Sequence, residues 1–338
     1  MKNFGYAVAS RIEDAFLPDP SRAMAIAGGT ELLNWFRLGI VAPDHVVDIG
    51  RLGGLKGISL SSDRLAIGAL TTLNEIGEHP LVKRYAAGLS EACLKAASAQ
   101  IRNRATIGGN VLQKTRCAYF RAEAPLPWGC NKREPGSGCA AREGLNERHA
   151  IFGWTDECVA VHPSDPLVAL AALDAEVELQ GPEGARRLPV ESLHLTQEEA
   201  AREGGALSTS VRVETRMKPG EVITGYRLPI RPSLRSAYVK VRERASYEYA
   251  LVSAAAALEL EDGIIKRAAL ALGSVAQKPW RLEEAEERLV GLKPAREAVL
   301  PILRESLTGA RTLAHNGYKV AMAAGAATRA VVEAGARA

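Results

Sequence analysis

Residues 24–36 change hydrophobic period within a few positions. Met24-Ala25-Ile26-Ala27 is an unbroken apolar run, whereas the apolar residues of Glu31-Leu32-Leu33-Asn34-Trp35-Phe36 fall on one helical face. The first pattern predicts a short buried strand and the second a helix. Between them lie Gly28-Gly29-Thr30, with Thr30 placed to cap the helix and Gly39 to close it. A second strand is expected at His45-Val46-Val47-Asp48-Ile49, and Gly53-Gly54 marks a turn. The first 50 or so residues therefore predict a compact unit of strands and helix.

Further along, Leu65-Ala66-Ile67-Gly68-Ala69 reads as a strand, followed by helical stretches at 72–79 and 81–99. A second glycine turn comes at Thr106-Ile107-Gly108-Gly109-Asn110. From 115 to 158 no period of 2 or 3.6 is sustained, and Pro125, Pro127, Gly129, Pro135, Gly136 and Gly138 interrupt the chain. A run that long inside a compact domain needs an organising element other than secondary structure. Regular patterning resumes with an apolar helix at 167–173 and an alternating strand, Ala175-Glu176-Val177-Glu178-Leu179. A strand over 221–230 leads to a meander at 236–242, 249–260 and 264–272, then helices near 280–291, 294–307 and 312–332. No internal repeat is visible.

Composition narrows the class without choosing a function. The chain has 338 residues, 47% hydrophobic and 24% charged, which fits a folded protein of roughly two domains. A net charge of +4 spread along the chain does not mark a dedicated nucleic-acid or membrane-surface binder. No apolar stretch is long enough to span a bilayer, so no membrane insertion is expected. Met1-Lys2-Asn3-Phe4 lacks the apolar core of a secretory signal, and Glu13 and Asp14 interrupt the next stretch of chain. A cytoplasmic location is expected on that ground, with export alongside a signal-bearing partner as the alternative.

Two features could carry chemistry. A glycine pair lets backbone approach a ligand closely, and two such turns suit a diphosphate cradle, although each is also compatible with an ordinary tight turn. Neither matches the nicotinamide fingerprint or the P-loop. The other feature is Cys117, Cys130, Cys139 and Cys158, at intervals of 13, 9 and 19 residues. Zinc sites usually include a C-x₂₋₄-C knuckle, absent here, and wide spacing in a Gly/Pro loop suits an iron–sulfur cubane. Two disulfides or free thiols are the alternative; His149 and His162 could join a mixed site. Cys93 lies apart, in an expected core helix.

Ser164 and Asp165, before the helix at 167, can cap it or bind ribose or phosphate oxygens. Basic residues Arg102, Arg104, Lys114, Arg116, Arg121, Lys132 and Arg133, interleaved with Tyr119, Phe120 and Trp128, raise a zinc-stabilised nucleic-acid module as a rival. Glu123, Glu134 and the modest net charge weigh against it. No Ser/His/Asp set or catalytic carboxylate pair stands out, so any redox chemistry would belong to a cofactor.

Four ordered motifs resemble the FAD-binding medium subunit of the xanthine dehydrogenase family of molybdenum hydroxylases. They are Ala25 to Leu32, Gln100 to Asn110, Ser164-Asp165-Pro166, and Gly273-Ser274-Val275-Ala276 through Pro279-Trp280-Arg281. In ordinary members the second loop runs almost directly into Ser-Asp. Here a cysteine-bearing insertion at about 115–160 intervenes. Thr115 to Arg121, Cys130-Asn131-Lys132-Arg133 and Pro135 to Cys139 are similar to the periplasmic aldehyde oxidoreductase type, whose medium subunit carries an extra 4Fe–4S cluster. Benzoyl-CoA-reducing members also carry a cluster in this subunit.

The resemblance implies an α+β fold: a two-subdomain FAD-binding PCMH-type (vanillyl-alcohol-oxidase-like) domain over 1–228, divided at about residue 53, then a small C-terminal sheet-and-helix flavoprotein domain over 229–338. It implies FAD contacts at Ala25, Ile26, Ala27, Gly28, Gly29, Thr30, Glu31, Leu32, Ala105, Thr106, Gly109, Asn110, Ser164, Asp165, Ile223 and Lys240. It implies cluster ligands at Cys117, Cys130, Cys139 and Cys158. The expected role is electron transfer from a large molybdenum-cofactor subunit and a small 2Fe–2S subunit, through FAD, to an external acceptor, with an aldehyde as substrate of the complex. The rival on the same fold is a nicotinamide-dependent flavin reductase that works alone.

Overall fold

The structure is a computed structural model that describes residues 2–19, 21–204 and 210–337. Strands β1 (Gly5–Val8), β2 (Ala23–Ile26) and β3 (His45–Asp48) form a parallel sheet in the order β1-β3-β2, with helix α1 (Leu32–Arg37) between the second and third. Leu32, Trp35, Phe36 and Val46 are the buried side chains of this layer. β1 was not expected: all four of its residues are exposed, so it lacks the apolar alternation that marks a half-buried strand.

A second sheet is antiparallel, in the order β4-β5-β8-β6-β7, formed by β4 (Ile58–Leu60), β5 (Arg64–Gly68), β6 (Glu176–Gly181), β7 (Gly184–Pro189) and β8 (Val222–Pro229). β5 and β6 alternate buried and part-buried positions, so one face is apolar and is covered by helices. Those helices include α2 (Leu73–Glu78), α3 (Pro80–Tyr85) and α4 (Ala87–Lys95). The expected continuous helix at 81–99 is thus divided, breaking at Ala86 (φ −147°, ψ 50°). The break lets α4 start against the third sheet, where Ser236 Oγ accepts from Gly88 N at 3.0 Å and satisfies a donor that a helix start leaves open. Short helices α5 (Ala99–Arg102), α6 (Ile107–Val111) and α7 (Ala118–Arg121) come next, and α7 is the one helix described inside the insertion.

Helix α8 (Asp165–Ala172) is buried along its whole length; α9 (Gln197–Gly204) follows the second sheet's β7. The third sheet is the expected meander, antiparallel in the order β12-β11-β10-β9, from β9 (Leu234–Val241), β10 (Val252–Glu261), β11 (Ile264–Gly273) and β12 (Trp280–Arg281). One of its faces, with Tyr238, Ala255, Ala257, Ala269 and Ala271, shares a core with α4 and α8. The other, with Val239, Ala254, Ala256, Leu258 and Leu270, packs on α10 (Glu283–Leu289), α11 (Arg296–Glu305) and α12 (Tyr318–Gly335). Helices α4 and α8 are therefore clasped between two sheets, which fixes the C-terminal domain against the first. Among the described residues no helix is long and apolar enough to cross a membrane.

Candidate functional site

The two glycine turns meet. A Cβ on Gly28 would sit 2.0 Å from the Arg104 carbonyl oxygen, so the hydrogen of this glycine faces protein backbone. Gly29, at φ +74°, occupies the left-handed region that favours glycine. The expected Thr30 cap does not form. Helix α1 starts at Leu32 with no side-chain cap, and Thr30 faces a cleft. The second turn is capped as its hydroxyl suggests: Thr106 Oγ1 accepts from Gly109 N at 3.3 Å.

The loops wall a cleft of about 580 Å³, a size that fits a large cofactor. Ala25, Ile26, Ala27, Gly28, Gly29, Thr30, Glu31 and Leu32 line one side; Ala105, Thr106, Gly109 and Asn110 line another; Asp165 and Ile223 complete the expected set on its surface. Ser164 and Lys240 do not line it. Ser164 Oγ accepts from Leu167 N at 3.2 Å, capping α8, and donates to Asn110 Oδ1 at 2.6 Å. Lys240 Nζ lies 2.7 Å from Asp165 Oδ2, and Tyr238 Oη donates to Asp165 Oδ1 at 2.5 Å. Tyr238 and Lys240 are two apart on β9 and so project from the same face. Both carboxylate oxygens of Asp165 are committed within the protein, and Lys240 and Ser164 position residues of the cleft wall.

Glu31 is a junction. It accepts from Trp35 Nε1 at 2.7 Å, pairs with Arg116 at 2.8 Å and also with Arg121. Burial alone would raise its pKa, but the Arg116 charge and the Arg121 hydrogen bond outweigh burial and hold it lowered. Arg116, Arg244, Tyr247, Glu248 and Tyr249 line the cleft and were not among the expected site residues. Arg116 had a visible charge but no local clue to its partner, which is 85 positions away. The other four sit in the β9–β10 loop, where Tyr-Glu-Tyr between two strands is the only sequence signal.

The insertion folds around its cysteines. Cys117, Cys130, Cys139 and Cys158 are free thiols lining one cavity, and Cys130 and Cys139 oppose each other in an antiparallel bridge. Burial raises all four pKa values, that of Cys117 to about 12. Backbone N–H groups act against this: Phe120 and Tyr119 on Cys117, Arg133 and Lys132 on Cys130, Val159, Arg142 and Ala141 on Cys139, and Ala160 on Cys158. His149 lines the same cavity, and both of its buried ring nitrogens lack a partner. His162 instead packs edge-on against His194, with Nε2 3.0 Å from Val111 O.

Among the described residues no group of three or more His, Cys, Asp or Glu is arranged to hold a single metal ion. The four thiols share one cavity, whose free space, about 20 Å³, matches one water and is smaller than a cubane needs. Apart from exposed Arg104, the basic residues that suggested nucleic acid are drawn into the protein: Lys114 and Lys132 both pair with part-buried Glu214, at 2.5 and 2.7 Å, Arg102 bonds Ala96 O at 2.9 Å, Arg116 and Arg121 pair with Glu31, and Arg133 bonds four carbonyls. Cys93 is fully buried in the core, as its setting predicts.

Residues 2–229 match the FAD binding domain in molybdopterin dehydrogenase, and residues 237–334 match the CO dehydrogenase flavoprotein C-terminal domain. The aldehyde oxidoreductase FAD-binding subunit PaoB of Escherichia coli (strain K12) is 42% identical over 301 residues, covering 89% of this chain and 88% of the relative. The glyceraldehyde dehydrogenase medium chain of Sulfolobus acidocaldarius is 27% identical over 86% of this chain and 82% of its own. In structure, a chain of the reconstituted CO dehydrogenase from Oligotropha carboxidovorans superposes with a TM-score of 0.73 at 25% identity, covering 99% of each chain.

Proposed function

The chain belongs to the family of FAD-binding domains in molybdopterin dehydrogenases, and from that premise we propose that it is the FAD- and iron–sulfur-containing electron-transfer subunit of a heteromeric aldehyde oxidoreductase. Its partners would be a large molybdenum-cofactor subunit and a small 2Fe–2S subunit, with an external acceptor taking the electrons. The 42% identity to an aldehyde oxidoreductase subunit across most of both chains supports the aldehyde assignment. The observation that carries the reading is local: Arg116 lines the large cleft and its neighbour Cys117 lines the thiol cavity. One segment thus walls both candidate cofactor sites.

When bound, FAD supplies the redox chemistry. The residues of this chain hold and shield it. Backbone around Gly28 and Gly29 presents amide donors without side-chain obstruction, the natural partners of a pyrophosphate, while the Gly109 N–H is held by Thr106 Oγ1. Thr30 on one side, and Thr106 and Asn110 on another, add polar groups. Asp165, ionically paired to Lys240, fixes the start of α8 beside Asn110 through Ser164. Cys117, Cys130, Cys139 and Cys158 would ligate a 4Fe–4S cluster, with the surrounding backbone N–H groups stabilising the thiolates.

The test is the flavin, iron and acid-labile sulfide content of anaerobically purified protein. About one FAD with about four iron and four sulfide per chain is expected. Cys139→Ser should lose the iron while keeping FAD; full iron in that variant would refute the ligand set. FAD without iron in the native chain would retain the flavin role and remove the cluster.

A further inference from the structure

The wall of the cleft contributed by the C-terminal domain is the loop between β9 and β10, through Arg244, Tyr247, Glu248 and Tyr249. Its own bonding is slight. Arg244 bonds the Tyr247 carbonyl at 2.5 Å and pairs with Glu248 at 3.3 Å, while Tyr247, at φ +53°, reaches the opposite wall through one bond from its N–H to Ala97 O, at 3.3 Å. Two arginines from outside hold it. The Arg116 guanidinium lies 4.5 Å over the Tyr249 ring, and Arg148 reaches both Glu248, at 3.0 Å, and Glu243.

These arginines stand toward opposite ends of the cysteine insertion, and each is followed by a residue of the thiol cavity, Cys117 and His149. The second post is anchored firmly. The carbonyl of His149 accepts from buried Lys319 Nζ at 2.8 Å and from Asn316 Nδ2 at 3.3 Å, and Lys319 also bonds Ser274 O at 2.6 Å. Arg148 itself does not line the cleft. Any effect it has there must pass through the loop.

We propose that Arg148 is a positioning residue that holds the 243–249 loop across the cleft, facing Arg116 as the second post, so that the cysteine insertion sets how long a flavin is retained. The inference rests on the cleft being the FAD site. An exposed ion pair contributes little by itself, but one arginine against two carboxylates forms a small network, and reversing its charge converts two attractions into two repulsions.

The measurement is the rate of FAD release from the full chain, followed as free-flavin fluorescence appears after dilution. Arg148→Glu should release FAD about tenfold faster, with an unchanged thermal unfolding midpoint of the flavin-free chain. Arg148→Lys should stay close to the native rate. Glu243→Arg, made from the loop side, should accelerate release on its own, and Arg148→Glu with Glu243→Arg should recover part of the loss, Glu248 alone remaining repelled. Native release rates in both single charge reversals would overturn the proposal, as would failure of the double reversal to recover. A native chain that binds no FAD would instead refute the flavin reading beneath it, a result visible before any variant is made.

Discussion

Gly28 has no room for even one methyl group. The Arg104 carbonyl that its Cβ would strike belongs to the second glycine loop, so the two loops hold their spacing by direct backbone contact. Gly28→Ala should push them apart, lowering FAD occupancy and costing about 1–3 kcal/mol of stability, both measurable on the purified chain. The glycine motif was legible in the sequence, but the reason for it was not, because the atom it makes room for lies 76 positions away. Asp165 is similar: its place before a helix was readable, whereas its saturation by Tyr238 and Lys240 depends on how the third sheet docks.

Three buried imidazoles give a second prediction at this scale. Burial lowers the pKa values of His149 and His162 to about 4, and that of His194 well below its usual 6.5. An unfolded chain therefore takes up protons in a range where the folded one refuses them, and unfolding is coupled to proton uptake. Stability should be fully present above about pH 6.5 and decline as pH falls toward 4. Denaturant midpoints measured between those limits test this, and His149→Asn should flatten the decline.

Secondary elements were readable where apolar residues alternate or recur on one face. The meander β9–β10–β11 and helix α8 lie close to their expected positions, because each buries a patterned face. Elements escaped where nothing is buried, as in β1, or where tertiary contact cuts a helix, as at Ala86. The insertion escaped for another reason: its order comes from side chains bonded to backbone. Arg133 ties it to the end of α1 through Leu38 O and Gly39 O, at 3.2 and 3.1 Å, and to its own chain through Phe120 O and Ala122 O, at 2.8 and 3.0 Å. Arg133→Met keeps much of the bulk and removes every donor. It should cost about 2 kcal/mol, read as a shift of the denaturant midpoint without a change in slope.

Across the whole molecule, the cleft draws its walls from every sheet region, joining the parallel layer, the glycine-bearing helix α6 with its Thr106 cap, the start of α8, β8 and the β9–β10 loop. A ligand held there touches both family domains at once. FAD at a hundredfold excess over its dissociation constant should stabilise the chain by about 2.7 kcal/mol, and a flavin-free chain should melt correspondingly lower until FAD is returned. The polypeptide's division into two family regions was legible from its motifs. The cleft's fifth wall was not, since no spacing in the sequence brings Tyr249 to Arg116.

The hydrogen bond from Ser164 to Asn110 also brings the two stems of the insertion together at 2.6 Å. The polypeptide leaves the flavin domain and returns almost to its point of departure, so the excursion behaves as a cassette. Such a segment can be exchanged over evolutionary time without rerouting the framework, provided the Glu31 carboxylate it pairs and the apolar surface it covers on the C-terminal domain are both met again. Its boundaries for transplantation into a related scaffold are already drawn, at a serine whose hydroxyl donates to an asparagine side chain.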